Sequence, residues 1–335
     1  MQTSWSLRAA GLVAVAAVLL VGRSWAQPSG AAPSQRFATR LITLGTRAGP
    51  NPTIGRAQSS NLLIVNGTPY VIDAGDGVTR RLTKLGTNFR TIENIFITHP
   101  HSDHTNGLGA LMSVVYDANR TGPVNIYGPP GTLASVQGLL QFLAVNSEIR
   151  ISDGTKIVPA NNIFSGHDTG AGTIFQDANI KVTAVENTHF HFQPGSPGYG
   201  KYRSYAYRFD GPDRSIVFTG DTGPSEAVAA LAKGADLLVS EVTSSIDDYK
   251  EQQIKSGRWQ SMTPEQQAGS IRHMTEEHLM TEEVGKMAGR AAVKTVVLTH
   301  LPASPDPKDD YGRFAEEVKT QFSGPVLIAN DLMEF

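Results

Sequence analysis

The sequence contains no cysteine, and this absence excludes several kinds of protein chemistry. Without thiols the chain cannot form disulfides, use a cysteine nucleophile or carry a lipid on a cysteine. A metal site in this chain must therefore be built from imidazole nitrogens and oxygen ligands.

The sequence also lacks a strongly basic segment. Its formal net charge is −2, and loss of Arg8 and Arg23 with the predicted leader described below would make it −4. Arg80, Arg81 and Lys84 are best interpreted as one solvated helix face. Because a large nucleic-acid partner requires neutralisation of its phosphates, this charge balance predicts no nucleic-acid partner.

One long apolar run stands at the N-terminus, from Ala9 to Gly22. Small residues at Ser24 and Ala26 predict signal-peptidase cleavage after Ala26, so residues 1–26 are expected to be a signal peptide. The run is short for a membrane span, although an uncleaved anchor is the alternative. We therefore expect a periplasmic or secreted protein with no stable membrane span after cleavage. Residues 27–37, rich in Pro, Ser, Ala and Gly, are predicted to be a linker.

A dense group of potential metal ligands follows the apolar segment Ile95–Ile97, which is typical of a short buried strand. Three histidines and one aspartate lie within six residues, at His99, His101, Asp103 and His104. We expect this stretch to be a loop that curls around a pair of metal ions. His99 and His101 would face one ion, and Asp103 and His104 the other.

Three more candidate ligands, His189, Asp221 and His300, each follow a predicted strand. Strands and helices alternate along the chain, and in open α/β sheets sites form beyond the carboxyl ends of the strands. This rule brings His189, Asp221 and His300 together with His99. Alone, each could be an ordinary loop, capping or surface residue.

The combined set fits a dinuclear hydrolytic centre in which two ions share one water molecule. We expect two Zn²⁺ ions per chain, with Mn²⁺ or Fe²⁺ as alternatives. The first ion is assigned to His99, His101 and His189, the second to Asp103, His104 and His300, and Asp221 is assigned as the bridge.

These residues resemble the metallo-β-lactamase-fold hydrolase superfamily, from about Thr39 to the C-terminus. The resemblance implies an α/β (α+β) fold, a four-layer αββα metallo-β-lactamase sandwich, and a single domain over residues 38–335. It also implies that Asp73, at the end of an early strand, supports one of the ligands.

His278, in the segment His278-Leu-Met-Thr-Glu-Glu, resembles the extra histidine of the ribonuclease Z-like and arylsulfatase-like branch. That resemblance implies that His278 stabilises or protonates the leaving oxygen and that Glu241 is its carboxylate partner. The alternative is a helix-capping surface histidine. Asp103, His278 and Glu241 are thus the predicted catalytic residues, and the helices expected over residues 246–275 form a plausible lid.

Three features favour the arylsulfatase-like side of this branch: the predicted export, the negative charge and the short span between His189 and Asp221. The predicted function is an exported dinuclear-zinc hydrolase that uses a bridging hydroxide to cleave small sulfate or phosphate esters. Its expected partner is a small-molecule ester, whose aryl group could stack on aromatic residues between Phe190 and Tyr205. A lactonase or β-lactamase-type hydrolase and a non-enzymatic metal-binding module are the alternatives, and an oligomer is left open.

Overall fold

Two seven-stranded sheets carry most of the buried apolar side chains of the molecule. The computed structural model describes residues 38–302 and 311–335. The predicted signal peptide and linker lie outside the described residues, so their boundaries stay predictions. Within the described ranges, no helix combines the length and the apolar character that crossing a membrane requires.

The first sheet has the order β14-β1-β2-β3-β4-β5-β6, in which β3 to β6 run parallel. Its strands are β1 (Thr39–Gly45), β2 (Ser60–Val65), β3 (Thr68–Ala74), β4 (Asn94–Phe96), β5 (Val124–Gly128), β6 (Phe164–Asp168) and β14 (Met333–Glu334).

The second sheet has the order β13-β12-β11-β10-β9-β8-β7, in which β10 to β13 run parallel. Its strands are β7 (Gly172–Gln176), β8 (Lys181–Glu186), β9 (Tyr205–Asp210), β10 (Ser215–Phe218), β11 (Leu237–Glu241), β12 (Thr295–Thr299) and β13 (Val326–Ile328). Because β10, β11 and β12 are parallel neighbours, the residues that follow them meet at one edge of the sheet.

Ten α-helices lie within the described ranges, together with short 3₁₀ helices at Phe89–Thr91 and Ala160–Asn162. They are α1 (Val78–Lys84), α2 (Ser102–Thr105), α3 (Leu108–Asp117), α4 (Thr132–Ser152), α5 (Glu226–Leu231), α6 (Ile246–Lys255), α7 (Arg258–Ser261), α8 (Pro264–Glu276), α9 (Thr281–Ala291) and α10 (Gly312–Lys319).

Three apolar clusters define the layers. The central cluster joins side chains of both sheets, such as Ile72 and Phe96 from the first and Val182 and Phe209 from the second. The second cluster packs α1, α3 and α4 on the first sheet, and the third packs α5, α9 and α10 on the second sheet. Burial of both faces of each sheet produces the predicted αββα sandwich, which is confirmed.

One segment differs from the sequence-based expectation. The aromatic segment between Phe190 and Tyr205, expected to contact the ligand, ends in a strand, β9, and Tyr205 and Tyr207 are buried in the core between the sheets. Tyr205 is therefore not free to stack on a ligand. By contrast, α6, α7 and α8 contain no buried residue, as the few apolar anchors of this region suggest.

Candidate active site

The histidine-rich stretch begins as predicted directly beyond β4, but it is not entirely a loop. His101 is extended, with φ −63° and ψ 153°, and α2 starts at the next residue. Asp103 and His104 consequently lie in one helical turn, and the His104 ring packs against that of His99, with ring centroids 4.1 Å apart. The backbone carbonyl oxygen of Asp103 lies close to Gly75: a Cβ atom at residue 75 would be 2.3 Å from this oxygen.

The first group of potential ligands consists of His99, His101 and His189, whose donor atoms lie within 4.8 Å of one another. The Nδ1 of His189 is 3.0 Å from the backbone oxygen of Glu277, so this nitrogen is the N–H donor and Nε2 is left with a lone pair. The Nδ1 of His99 lies 3.1 Å from Thr98 Oγ1. Nε2 is therefore the ligand atom that each imidazole offers to this group, and in His189 it lies 3.0 Å from His101 Nδ1.

The second group consists of Asp103, His104, Asp221 and His300, which also lie within 4.8 Å of one another. The Nδ1 of His104 is 2.8 Å from Asp73 Oδ2, and Asp73 accepts a further bond from the Thr98 backbone N–H. This is the supporting contact expected of Asp73, and it leaves His104 Nε2 free.

Asp221 lies between the two groups. Its carboxylate oxygens are 3.2 Å from His104 Nε2, 3.2 Å from His300 Nε2 and 3.8 Å from His99 Nε2. Gly220 and His300 both have positive φ values, +58° and +50°. Such backbone strain in a non-glycine residue is characteristic of functional sites, and at His300 it turns the side chain toward Asp221.

The electrostatics of the site favour the ligand forms of His99, His189 and Asp221, but not that of His104. Burial would lower the pKa of His104, but the carboxylates of Asp221 and Asp73 raise it well above the usual value. Burial, the largest influence, lowers the pKa of His99 and of His189 well below the usual value. Both imidazoles are therefore neutral, which is the form that binds metal ions. Burial alone would raise the pKa of Asp221, but His300 and His104 hold it well below its usual range, so the carboxylate is ionised.

Three buried polar atoms test whether a metal fits here. His99 Nε2, His104 Nε2 and Asp221 Oδ1 make no well-directed hydrogen bond among the described residues, although the last two atoms lie 3.2 Å apart. Leaving such atoms unsatisfied in a protein interior costs about 1–3 kcal/mol each. All three are donor atoms of the two groups, so divalent cations would satisfy them and the residues fit a metal centre.

His278 and Glu241 form an ion pair next to the second group. Glu241 ends β11, and His278 precedes α9; their contact, His278 Nδ1 to Glu241 Oε2, is 2.7 Å. Glu241 also accepts a hydrogen bond from the backbone N–H of Thr222. Burial would lower the pKa of His278, but the Glu241 carboxylate outweighs burial and raises it to about 9.

No role was assigned to His273 from the sequence, and the structure brings it into the site. Its Nε2 lies 3.3 Å from His278 Nε2, and its Nδ1 lies 2.7 Å from Glu277 Oε2. Its position in α8, five residues before His278, was the only signal available. The other two histidines to which no role was assigned lie apart: His167 Nε2 is 2.9 Å from Asn125 Oδ1, and His191 Nδ1 is 3.8 Å from Glu276 Oε2.

The family of the chain is decided by a match over residues 68–301 to the family described as Beta-lactamase superfamily domain. The chain belongs to the metallo-β-lactamase superfamily. This result confirms the resemblance recognised in the sequence, and it agrees with the two-sheet sandwich. The fold supports divalent metal binding and hydrolase chemistry.

Within the superfamily, the relatives include a ribonuclease Z from Mycobacterium marinum (strain ATCC BAA-535 / M), 28% identical over 297 residues. That alignment covers 87% of this chain and 96% of the relative. Among solved structures, YhfI from Bacillus subtilis has a TM-score of 0.62 at 19% identity, covering 89% of this chain and 98% of that one. The short form of human tRNase Z has a TM-score of 0.58 at 21% identity, covering 88% and 98%.

These relatives overturn two predictions. The expected function in cleaving small sulfate or phosphate esters is wrong, because relatives that are 26–28% identical over 87–88% of this chain are named ribonuclease Z. Neither alternative, a lactonase or β-lactamase-type hydrolase or a non-enzymatic module, is supported by them.

The prediction of no nucleic-acid partner and of a small-molecule ester substrate is contradicted by the same relatives. The physical error was to judge phosphate binding from the net charge of the whole chain. Phosphate binding depends on the charge at the site, and Arg47 and Arg258 both line the cavity beside His278.

Proposed function

We propose that this chain is a metal-dependent phosphodiesterase that hydrolyses RNA. The observation that carries this proposal is the juxtaposition of two ligand groups sharing Asp221 with the buried Glu241–His278 pair. A purely structural metal site would need no such pair, since it has no leaving group to stabilise. The ribonuclease Z relatives support RNA as the substrate class.

The ligand assignment remains a proposal on this geometry. His99, His101 and His189 would hold one ion, Asp103, His104 and His300 would hold the other, and Asp221 would contact both. Imidazole and carboxylate donors favour Zn²⁺, with Mn²⁺ and Fe²⁺ as alternatives. Bound ions would supply positive charge to the scissile phosphate and lower the pKa of water to near neutrality.

His278 is proposed to supply a proton to the leaving oxygen. Glu241 accepts the Nδ1–H of His278, which fixes the ring and keeps the proton on Nε2 at neutral pH. In the unbound protein, the Nε2 atom of His278 lies 3.3 Å from His273 Nε2. When RNA binds, His278 would donate its Nε2 proton to the leaving oxygen of the substrate instead. Glu241, which touches His278 and not the substrate, acts as a positioning residue.

The test is cleavage of a precursor tRNA that carries a 3′ extension by the purified, metal-loaded protein. We expect cleavage that chelation abolishes and that zinc restores. Asp221→Ala should lower both the metal content and the rate, because this carboxylate faces both ligand groups. Glu226→Ala is the matched control, since that side chain is 83% exposed and lies outside the ligand groups. Absence of any RNA cleavage by the metal-loaded protein would end the proposal.

A further inference from the structure

A cavity of about 410 Å³ opens beside the proposed active site. One wall is the loop from Arg47 to Pro50, and the opposite wall consists of side chains from α6, α7 and α8, including Arg258. His278 and His300 line the same cavity, so a group bound there is adjacent to the bond being cleaved.

The backbone around Arg47 is held firmly, so its side chain starts from a fixed position. The Arg47 N–H donates to the Ala57 carbonyl at 2.9 Å, and the Ala48 N–H donates to the Leu301 carbonyl at 3.0 Å. Gly49 N–H donates to Asp103 Oδ2 at 2.8 Å, which joins this loop directly to the second ligand group.

The guanidinium of Arg47 makes few hydrogen bonds within the protein. Of its five N–H donors, one on Nη1 reaches the Leu301 carbonyl at 3.0 Å, and the buried Nε has no partner among the described residues. No carboxylate in the described ranges forms a salt bridge with it. Burial lowers the pKa of Arg47, which reflects the cost of removing an unpaired cation from water.

The remaining charges of the cavity reinforce this positive character. Arg258, on the opposite wall, is exposed and has no acidic partner in the part of the chain that the structure describes. Glu241 is the single carboxylate among the described lining residues, and it is already bonded to His278 and Thr222. The cavity therefore presents two guanidinium groups without acidic partners among the described residues and no free carboxylate.

We propose that this cavity is a subsite for a second phosphate of the RNA strand, bound by Arg47 and approached from the lid side by Arg258. The inference rests on the proposed function, since the ligand groups are taken to receive the scissile phosphodiester. A phosphate is the ligand that matches the planar fork of a guanidinium, and a strand of RNA places one on each side of the scissile bond.

The first test compares hydrolysis of the dinucleotide UpU with that of pUpU and UpUp, which carry an additional terminal phosphate. We expect the wild-type kcat/KM to be higher for one of the phosphorylated forms than for UpU. Arg47→Gln should reduce that ratio about ten- to hundredfold, the effect of losing a hydrogen bond to a charged group. Arg47→Lys should retain part of it, because charge remains while the fork is lost. A ratio that Arg47→Gln leaves unchanged, or an equal loss on all three substrates, would overturn the subsite.

The second test measures binding without turnover. A fluorescein-labelled uridine octamer with phosphorothioate linkages, which resist hydrolysis, is titrated into the metal-loaded protein by fluorescence anisotropy. Arg47→Gln and Arg258→Gln should each weaken binding, and each should reduce the slope of log K against log salt by about 0.7. Arg258 is on the surface, so its variant cannot fail merely by misfolding. Arg80→Gln, an exposed arginine outside the cavity, is the matched control.

The two tests separate this inference from the proposed function. If the protein cleaves precursor tRNA while both arginine variants bind the octamer like the wild type, the subsite is wrong and the function stands. If no RNA is cleaved but binding depends on Arg47, the function is wrong and the phosphate site stands.

Discussion

Replacing Glu241 by glutamine should change the pH range in which the protein is active. In the wild type, the pKa of His278 is raised from 6.5 to about 9, mainly by this carboxylate acting against burial. That rise corresponds to about 3 kcal/mol of favourable interaction with the protonated imidazole. Glutamine removes the charge but keeps the shape and still accepts the bond from Thr222, so burial then dominates and the pKa falls to 6.5 or below.

The size of the effect follows from the fraction of His278 that carries the required proton. At about pH 8, a pKa of about 9 leaves roughly 90% protonated, whereas a pKa of 6.5 leaves roughly 3%. The single-turnover rate on precursor tRNA should therefore fall about thirtyfold at this pH and recover toward the wild-type rate below about pH 6. The wild-type rate should decline only as pH rises through the higher pKa. Cations bound at the adjoining ligand groups would lower the pKa of His278 by repulsion in both the wild type and the variant. The quantity to measure is therefore the displacement between their two pH–rate curves.

The control for this experiment is Glu226→Gln, which removes the same charge from an exposed side chain and should leave the pH dependence of the rate unchanged. Superimposable curves for Glu241→Gln and the wild type would refute the view that Glu241 sets the proton on His278. Loss of metal from Glu241→Gln would instead show that this carboxylate is a ligand.

Three further outcomes are expected. His278→Ala should keep its metal content, because none of the seven proposed ligands is removed, while the rate falls about 10²–10⁴-fold; metal loss on elemental analysis would make His278 a ligand. Gly223→Ala should lower the free energy of unfolding by about 1–3 kcal/mol, since a Cβ would lie 1.7 Å from the Glu276 carbonyl. The matched change Gly138→Ala, in open space on α4, should instead add about 0.5–1 kcal/mol, and denaturant titration measures both. Export is tested by N-terminal sequencing of extracytoplasmic protein, which should begin at Gln27, whereas a start at Met1 would indicate an anchor.

The ligand candidates could be predicted from the sequence because their positions depend on local rules. His99, His189, Asp221 and His300 each follow a strand, and in α/β folds sites form beyond the carboxyl ends of the strands. The close spacing of His99, His101, Asp103 and His104 is itself a local chemical pattern. Apolar patterning likewise predicted most strands, whereas the αββα sandwich was implied by the resemblance to the metallo-β-lactamase superfamily.

The substrate class was not accessible in this way. The sum of charges gives a net negative chain, but a sum carries no information about where the charges lie. Arg47 and Arg258 are 211 positions apart in the sequence and line one cavity only because the fold brings their segments together. The conclusion drawn from net charge was therefore wrong, although the charge itself was counted correctly.

The amino-acid sequence by itself determined the donor types, the strand-end positions and the family, since each is written in short stretches of the chain. Tertiary structure alone decided which residues support those donors. His273, near the end of α8, meets His278 in the short connection that leads to α9, and Tyr205 is buried in the core because β9 lies inside the second sheet. The burial of Tyr205 depends on packing between segments that are distant in the sequence, and it is decided only when the two sheets pack on one another.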